Sequence, residues 1–190
     1  MPFRLLGFAT DPDKASHLCG HAFARYAASG TDITLVCAAA RDSSGADHAQ
    51  AARQLGVRDL VLLDYRLSEL TAAGLEDVFA DVMASLRPHV VVADGSDAAV
   101  RDAATSAFSR IRRATGGSAA LPAKLYYRLS AGTASVAVTT AIAIATLAAP
   151  ELFVRVFPNP WVTGVLERDL FAGLPAESGA ADALVERLAG

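Results

Sequence analysis

The chain has 190 residues, 53% of them hydrophobic and 19% charged, with a formal net charge of -3. That length fills one domain's core and would cramp two, and the composition excludes general disorder. The charge balance gives no electrostatic reason to expect nucleic acid, and the one basic cluster, Arg110, Arg112 and Arg113, reads as a solvated helix face.

Two cysteines, Cys19 and Cys37, are too few for a disulfide framework at this size. Met1 to Leu6 lacks a signal-peptide apolar core, with Asp11 and Asp13 close behind. The longest apolar stretch, Ala134 to Pro150, falls short of the roughly 20 residues a spanning helix needs. A cytoplasmic protein with no membrane partner is the expectation.

Arg4 to Phe8 (RLLGF) reads as a buried strand that ends in a loop at Thr10-Asp11-Pro12-Asp13. Ser16 to Ala28 has helical spacing through Leu18, Ala22, Phe23 and Tyr26, and Gly30 closes it. Ile33 to Cys37 is a second strand, Ala46 to Leu55 a second helix, and Leu60 to Leu63 a third strand. Ala72 to Leu86 is a third helix stopped by Pro88. Val90 to Ala93 is a fourth strand and Ala98 to Arg113 a fourth helix. Beyond it, Lys124 to Leu129 and Leu152 to Phe157 read as strands and Ala180 to Leu188 as a terminal helix. Residues 134–150 fit either a strand or a helix.

Four strand-helix units in succession call for an α/β protein. Its sheet is mostly parallel, with helices on both faces and right-handed crossovers, in one domain over residues 1–190. Ligands in such sheets sit beyond the carboxyl ends of the strands, where strand order reverses. With an order of 3-2-1-4-5, strands one and four flank that point. The loop after strand one carries Asp11, Asp13 and Lys14; the loop after strand four carries Asp94 and Asp97. Two acidic clusters thus converge on one crevice. Asp97, just before the fourth helix, is equally placed to cap it. Arg66 follows strand three and is expected to point into the same crevice, with a surface position as the alternative.

No glycine-rich phosphate loop follows strand one and no G-x-S-x-G elbow is present, which leaves dinucleotide binding and serine hydrolysis without support. His17 and His21 lie four apart on the first helix, with Asp13 four before His17. One helix edge without a ligand from a second element reads as a surface pair before it reads as a metal site.

Phe8 to Gly30 (FATDPDKASHLCGHAFARYAASG) resembles the A-H-P-D-D-E signature of the LmbE-like (PIG-L) zinc-dependent N-deacetylases and the helix that follows it. The shared residues are Pro12, Asp13, Cys19, Gly20, Ala24, Arg25, Tyr26 and Gly30. Ala51 to Arg66, Lys124 to Tyr127 and Glu167 to Leu174 are similar to later segments of that family. The resemblance implies a Rossmann-like three-layer α/β/α fold. It also implies a zinc held by two His and one Asp, and a second Asp as general base. The zinc-bound water attacks an N-acyl group on a glucosamine-type sugar.

Carried over position by position, Asp13 stands at the general base and matches. Asp11 stands at one zinc His, Lys14 at the zinc Asp, and Ala15 at the motif's Glu. Asp97 stands at the other zinc His, and Asp94 at the second active-site His. A protonated lysine has no lone pair for a metal and repels one, so no metal cofactor is expected. Lys14 is instead expected to act as an internal cation among Asp11, Asp13, Asp94 and Asp97.

These residues point to a non-catalytic or altered-function homologue that binds a sugar-like ligand or a protein partner. Two alternatives stand beside it. One is an active N-acyl hydrolase with altered metal use. The other is a haloacid-dehalogenase-like phosphohydrolase, read from Asp11-x-Asp13 after a strand, though Ala15 occupies its expected Thr position.

Overall fold

A computed structural model describes residues 2–40, 48–116, 121–129, 141–144, 151–157, 170–171 and 174. It does so without the side chains of residues 13, 14, 16–19, 21, 129, 141–144, 151, 152 and 154. In chain order the elements are β1 (Arg4–Ala9), α1 (Pro12–Ala28), β2 (Asp32–Cys37), α2 (His48–Gln54) and β3 (Asp59–Leu62). There follow α3 (Ala72–Leu86), β4 (Val90–Asp94), α4 (Ala98–Thr115), β5 (Lys124–Leu129), β6 (Ala141–Ile144) and β7 (Glu151–Phe157).

They form a seven-stranded sheet in the order β3-β2-β1-β4-β5-β7-β6. The first five strands run parallel, and β7 joins β5 antiparallel, with β6 antiparallel to β7 at the edge. The expected order of the first five strands is the observed one. Of the open segment 134–150, residues 141–144 are a strand. The expected terminal helix over Ala180 to Leu188 lies outside the described residues.

Alternate residues of each strand feed opposite faces, because side chains in a strand have a period of two. Leu5, Ile33, Leu35, Val90, Val92 and Tyr126 pack with Phe23 and Tyr26 of α1. Leu6, Phe8, Val36, Val91, Ala93 and Leu125 pack with Leu75, Phe79 and Met83 of α3 and with Phe108 of α4. Helices thus cover both faces, which explains why β1 and β4 are near-continuous apolar runs. Gly7 sets the distance of α1 from the sheet: a Cβ there would lie 2.7 Å from Cζ of Phe23.

The helix ends follow local chemistry. Thr71 caps α3 by accepting a hydrogen bond from the Gly74 N–H at 3.1 Å. Arg87, in a left-handed conformation (φ 47°), ends it one residue before Pro88. The first helix starts earlier than its apolar spacing indicates. Proline at the first helical position has a pre-set φ and lacks an N–H that would go unpaired there anyway, so Pro12 opens α1. Asp13 and Lys14 therefore stand on the first turn of α1 and not in a loop.

Candidate functional site

Strand order reverses between β1 and β4, since β2 lies on one side of β1 and β4 on the other. The carboxyl ends of these two strands are joined by one buried hydrogen bond. Thr10 Oγ1 donates to Asp94 Oδ2 at 2.8 Å. The other oxygen of Asp94 accepts from the Ser96 N–H at 2.9 Å and from Ser96 Oγ at 2.6 Å. Asp94 is 2% exposed. Three donors offset the cost of keeping this carboxylate out of water.

Asp97 stands one step outside this knot. Its Oδ1 accepts from the Val100 N–H at 3.1 Å and so caps α4. Of the two roles open to Asp97 in the sequence, the cap is thus present. Asp11 lies partly buried at the β1 end, near Cys37 at the end of β2. Burial, with Asp11's negative charge second, pushes the Cys37 thiol up to about 12. This free thiol is fully buried and unreactive at neutral pH.

The side chains of Asp13, Lys14, His17 and His21 are not among the described ones, so the general-base and internal-cation positions are fixed only to the first turn of α1. Arg66 lies beyond β3, two strands from β1 in the sheet. There its N–H donates to Glu69 Oε2 at 3.1 Å, and its half-exposed guanidinium is 3.9 Å from Glu69 Oε1. His89 is at the opposite, amino end of β4, where its Nδ1 accepts from the Arg4 N–H at 3.0 Å. Among the described residues, no three His, Cys, Asp or Glu side chains are grouped to hold a metal, and no helix is long and apolar enough to cross a membrane.

Sequence reasoning passed over two residues. Thr10, the donor that ties the two strand ends, reads as one more loop residue. Arg128 is the register partner of Asp94 on β5 and is 9% exposed. In KLYYRL, alternation of Lys124, Tyr126 and Arg128 suggests a solvent-facing row. That row instead faces the side covered by α1, because its middle member, Tyr126, is a fully buried part of that core.

No family model matches the sequence, and no curated protein matches it. Solved structures do match the fold. The conserved protein TT1542 from Thermus thermophilus aligns with a TM-score of 0.56 at 24% identity, over 65% of this chain and 64% of that one. A triple mutant of a deacetylase of the teicoplanin biosynthetic pathway aligns at 0.55 and 16%, over 74% and 70%. GalB, the 4-carboxy-2-hydroxymuconate hydratase of Pseudomonas putida, aligns at 0.50 and 15%, over 67% and 66%.

The class is thereby defined: a mixed, mostly parallel three-layer α/β sheet of the type found in LmbE/PIG-L deacetylases. At these identities the likeness establishes the fold alone, and this chain spans less than two thirds of the length of TT1542. The same fold carries a deacetylase in one neighbour and a hydratase in another, so the reaction has to be argued from the site.

Proposed function

We propose that this chain is a deacetylase-fold protein that does not perform zinc hydrolysis and that uses the crevice at the β1 and β4 ends to bind a small sugar-like ligand. The observation that carries this reading is the state of the two carboxylates at and just beyond the end of β4. Asp94 is buried and accepts three hydrogen bonds, of about four that a carboxylate can take. Asp97 spends one oxygen on the cap of α4. Neither offers the imidazole nitrogen that zinc prefers, and the resemblance puts Lys14, an ammonium, at the third ligand position. The donor set does not fit zinc. Without a metal to lower the pKa of the attacking water, a route to amide hydrolysis is missing. The sugar-like ligand rests on the likeness to deacetylases.

The test is elemental analysis of the dialysed protein, followed by assays of acetate release from N-acetylglucosamine and of its binding by NMR. The expected outcome is no stoichiometric zinc, no acetate release and saturable binding. Near one zinc per chain with zinc-dependent acetate release would establish an active hydrolase instead. Magnesium-dependent phosphatase activity would favour the phosphohydrolase alternative. In the converse test, the triple change Asp11→His, Lys14→Asp and Asp97→His is expected to gain thermal stability from added zinc. No gain would put the positional match to the deacetylase motif in doubt.

A further inference from the structure

The sheet buries basic residues at one end. Lys124 and Arg128 on β5 and Arg155 on β7 are 4%, 9% and 6% exposed. Long cationic side chains are rarely this buried unless something anionic or polar meets them. Arg128 is the one of the three at the carboxyl end of a parallel strand. The register of β4 and β5 sets it beside Asp94, and its carbonyl accepts from the Gly95 N–H at 2.9 Å. Register partners in neighbouring strands share a face. Val92 and Tyr126, two residues before Asp94 and Arg128, both belong to the core on the α1 side, so both side chains stand on that side of the crevice.

Asp94 accepts from Thr10 and Ser96, and no hydrogen bond or ion pair joins it to Arg128 among the described residues. The guanidinium carbon lies 5.9 Å from the Phe153 ring centroid, at the outer reach of a cation–π contact. Arg128 Nε is buried without a hydrogen-bond partner among the described residues. A buried N–H without an acceptor is costly, and one carrying part of a positive charge more so.

We propose that Arg128 is the anion-recognising residue of the crevice, and that the ligand bound there carries a carboxylate or a phosphate. This rests on the reading of the crevice as a ligand site and names the ligand's charge. The Nε–H and the adjacent Nη–H of a guanidinium form a planar fork that matches two oxygens of either group. The Nε–H of this fork is the donor left without an acceptor among the described residues. The three donors on Asp94 disperse its charge and reduce its repulsion of an incoming anion. The fork specifies an oxyanion; it does not choose between a uronate-type carboxylate and a phosphate.

The experiment titrates the protein with inorganic phosphate, glucuronate and uncharged N-acetylglucosamine. It follows the Nε–H resonances of the arginines by 15N NMR, with Arg128 assigned by its loss in Arg128→Gln. The expected result is saturable binding of phosphate or glucuronate that shifts the Arg128 Nε–H, and about a ten- to hundredfold loss of affinity in Arg128→Gln. Arg128→Lys, which keeps the charge without the fork, is expected to lose less. Whichever anion binds more tightly identifies the source. Absence of any shift at Arg128 with either anion, or equal binding by parent and Arg128→Gln, would overturn the proposal. If Arg128→Gln does not fold, Arg128→Lys supplies the assignment and the parent's resonance decides. Binding of N-acetylglucosamine without either anion would sink the anion proposal and leave the sugar-binding reading standing. Binding of nothing would end both.

Discussion

The two ends of the sheet bury different things. In β1, β2 and β4 the interior positions are Leu5, Leu6, Phe8, Ile33, Leu35, Val36 and the run Val90 to Ala93, all apolar. In β5 and β7, Lys124, Arg128 and Arg155 are buried alongside Tyr126 and Phe153. The first end is a scaffold whose sequence answers to packing. The second accepts charges that packing alone would reject, so its sequence answers to something besides apolar packing. Asp94 sits on the border: it ends the last wholly apolar strand and is the one fully buried carboxylate among the described residues.

That border gives the largest expected effect. Asp94→Ala removes the acceptor for Thr10 Oγ1, Ser96 Oγ and the Ser96 N–H. Hydrogen bonds to a charged group contribute about 1.5–3 kcal/mol, and buried donors left bare add a penalty, so a loss of about 3 kcal/mol or more is expected in urea unfolding. Asp94→Asn, which keeps the shape, is expected to cost less. A loss under about 1 kcal/mol for Asp94→Ala would make the border residue ordinary and the contrast between the ends unfounded.

The scaffold end is probed by size and not by charge. Gly7→Ala places a Cβ 2.7 Å from Cζ of Phe23, which is itself 1% exposed and cannot swing away. Overpacking of this kind costs about 1–3 kcal/mol. Gly20→Ala is the control. Among the described residues its Cβ meets only the partly buried Leu55 side chain, at 3.2 Å, and helix propensity returns about 1 kcal/mol. Near-neutral stability is expected for Gly20→Ala by the same urea measurement.

Cys37 tests the scaffold end by pH. Its thiol is raised from 9.0 to about 12, by burial first and by Asp11 second. The folded state therefore holds a proton that the unfolded state releases above about pH 9. The stability linked to Cys37 is complete below that pH and is lost as pH rises toward 12, at up to about 1.4 kcal/mol per unit. Cys37→Ala is expected to flatten this part of the profile. An unchanged slope in the variant would locate the alkaline loss elsewhere.

The contrast also decides what was legible. Sequence periodicity placed α3 and β5 to the residue and ordered the first five strands, because apolar runs, caps and prolines there act locally. The switch point between β1 and β4 was legible as a position, since it follows from topology. Its wiring was not. The pairing of Thr10 with Asp94 spans 84 residues and leaves no spacing pattern. The burial of Arg128 hid behind a charge-aromatic alternation that ordinarily faces water, and the covering of that face by α1 and by Leu170 and Phe171 removes the water. The early start of α1 was signalled by Pro12 and outweighed by the apolar spacing that begins later.

The smallest expected effect bears on the metal question. Asp97 has an extended backbone (φ -101°, ψ 119°), and its side chain accepts from Val100, three residues on, as an N-cap does. Losing such a cap to alanine costs about 0.5–2 kcal/mol, while Ser and Asn retain most of it. A pure cap thus predicts a ranking in thermal unfolding: Asp97→Ala below the parent, with Asp97→Ser and Asp97→Asn close to it. The ranking is expected to be the same with and without zinc, because a cap's partner is a backbone N–H. A metal ligand predicts another pattern. Zinc would then raise the unfolding temperature of the parent, and Asp97→Ser, although well capped, would lose that rise. The serine variant separates the roles because its hydroxyl can accept from Val100 yet lacks the charge that a divalent ion needs at this position. A zinc-dependent rise that disappears in Asp97→Ser would return Asp97 to the chemistry of the crevice and overturn the metal-free reading.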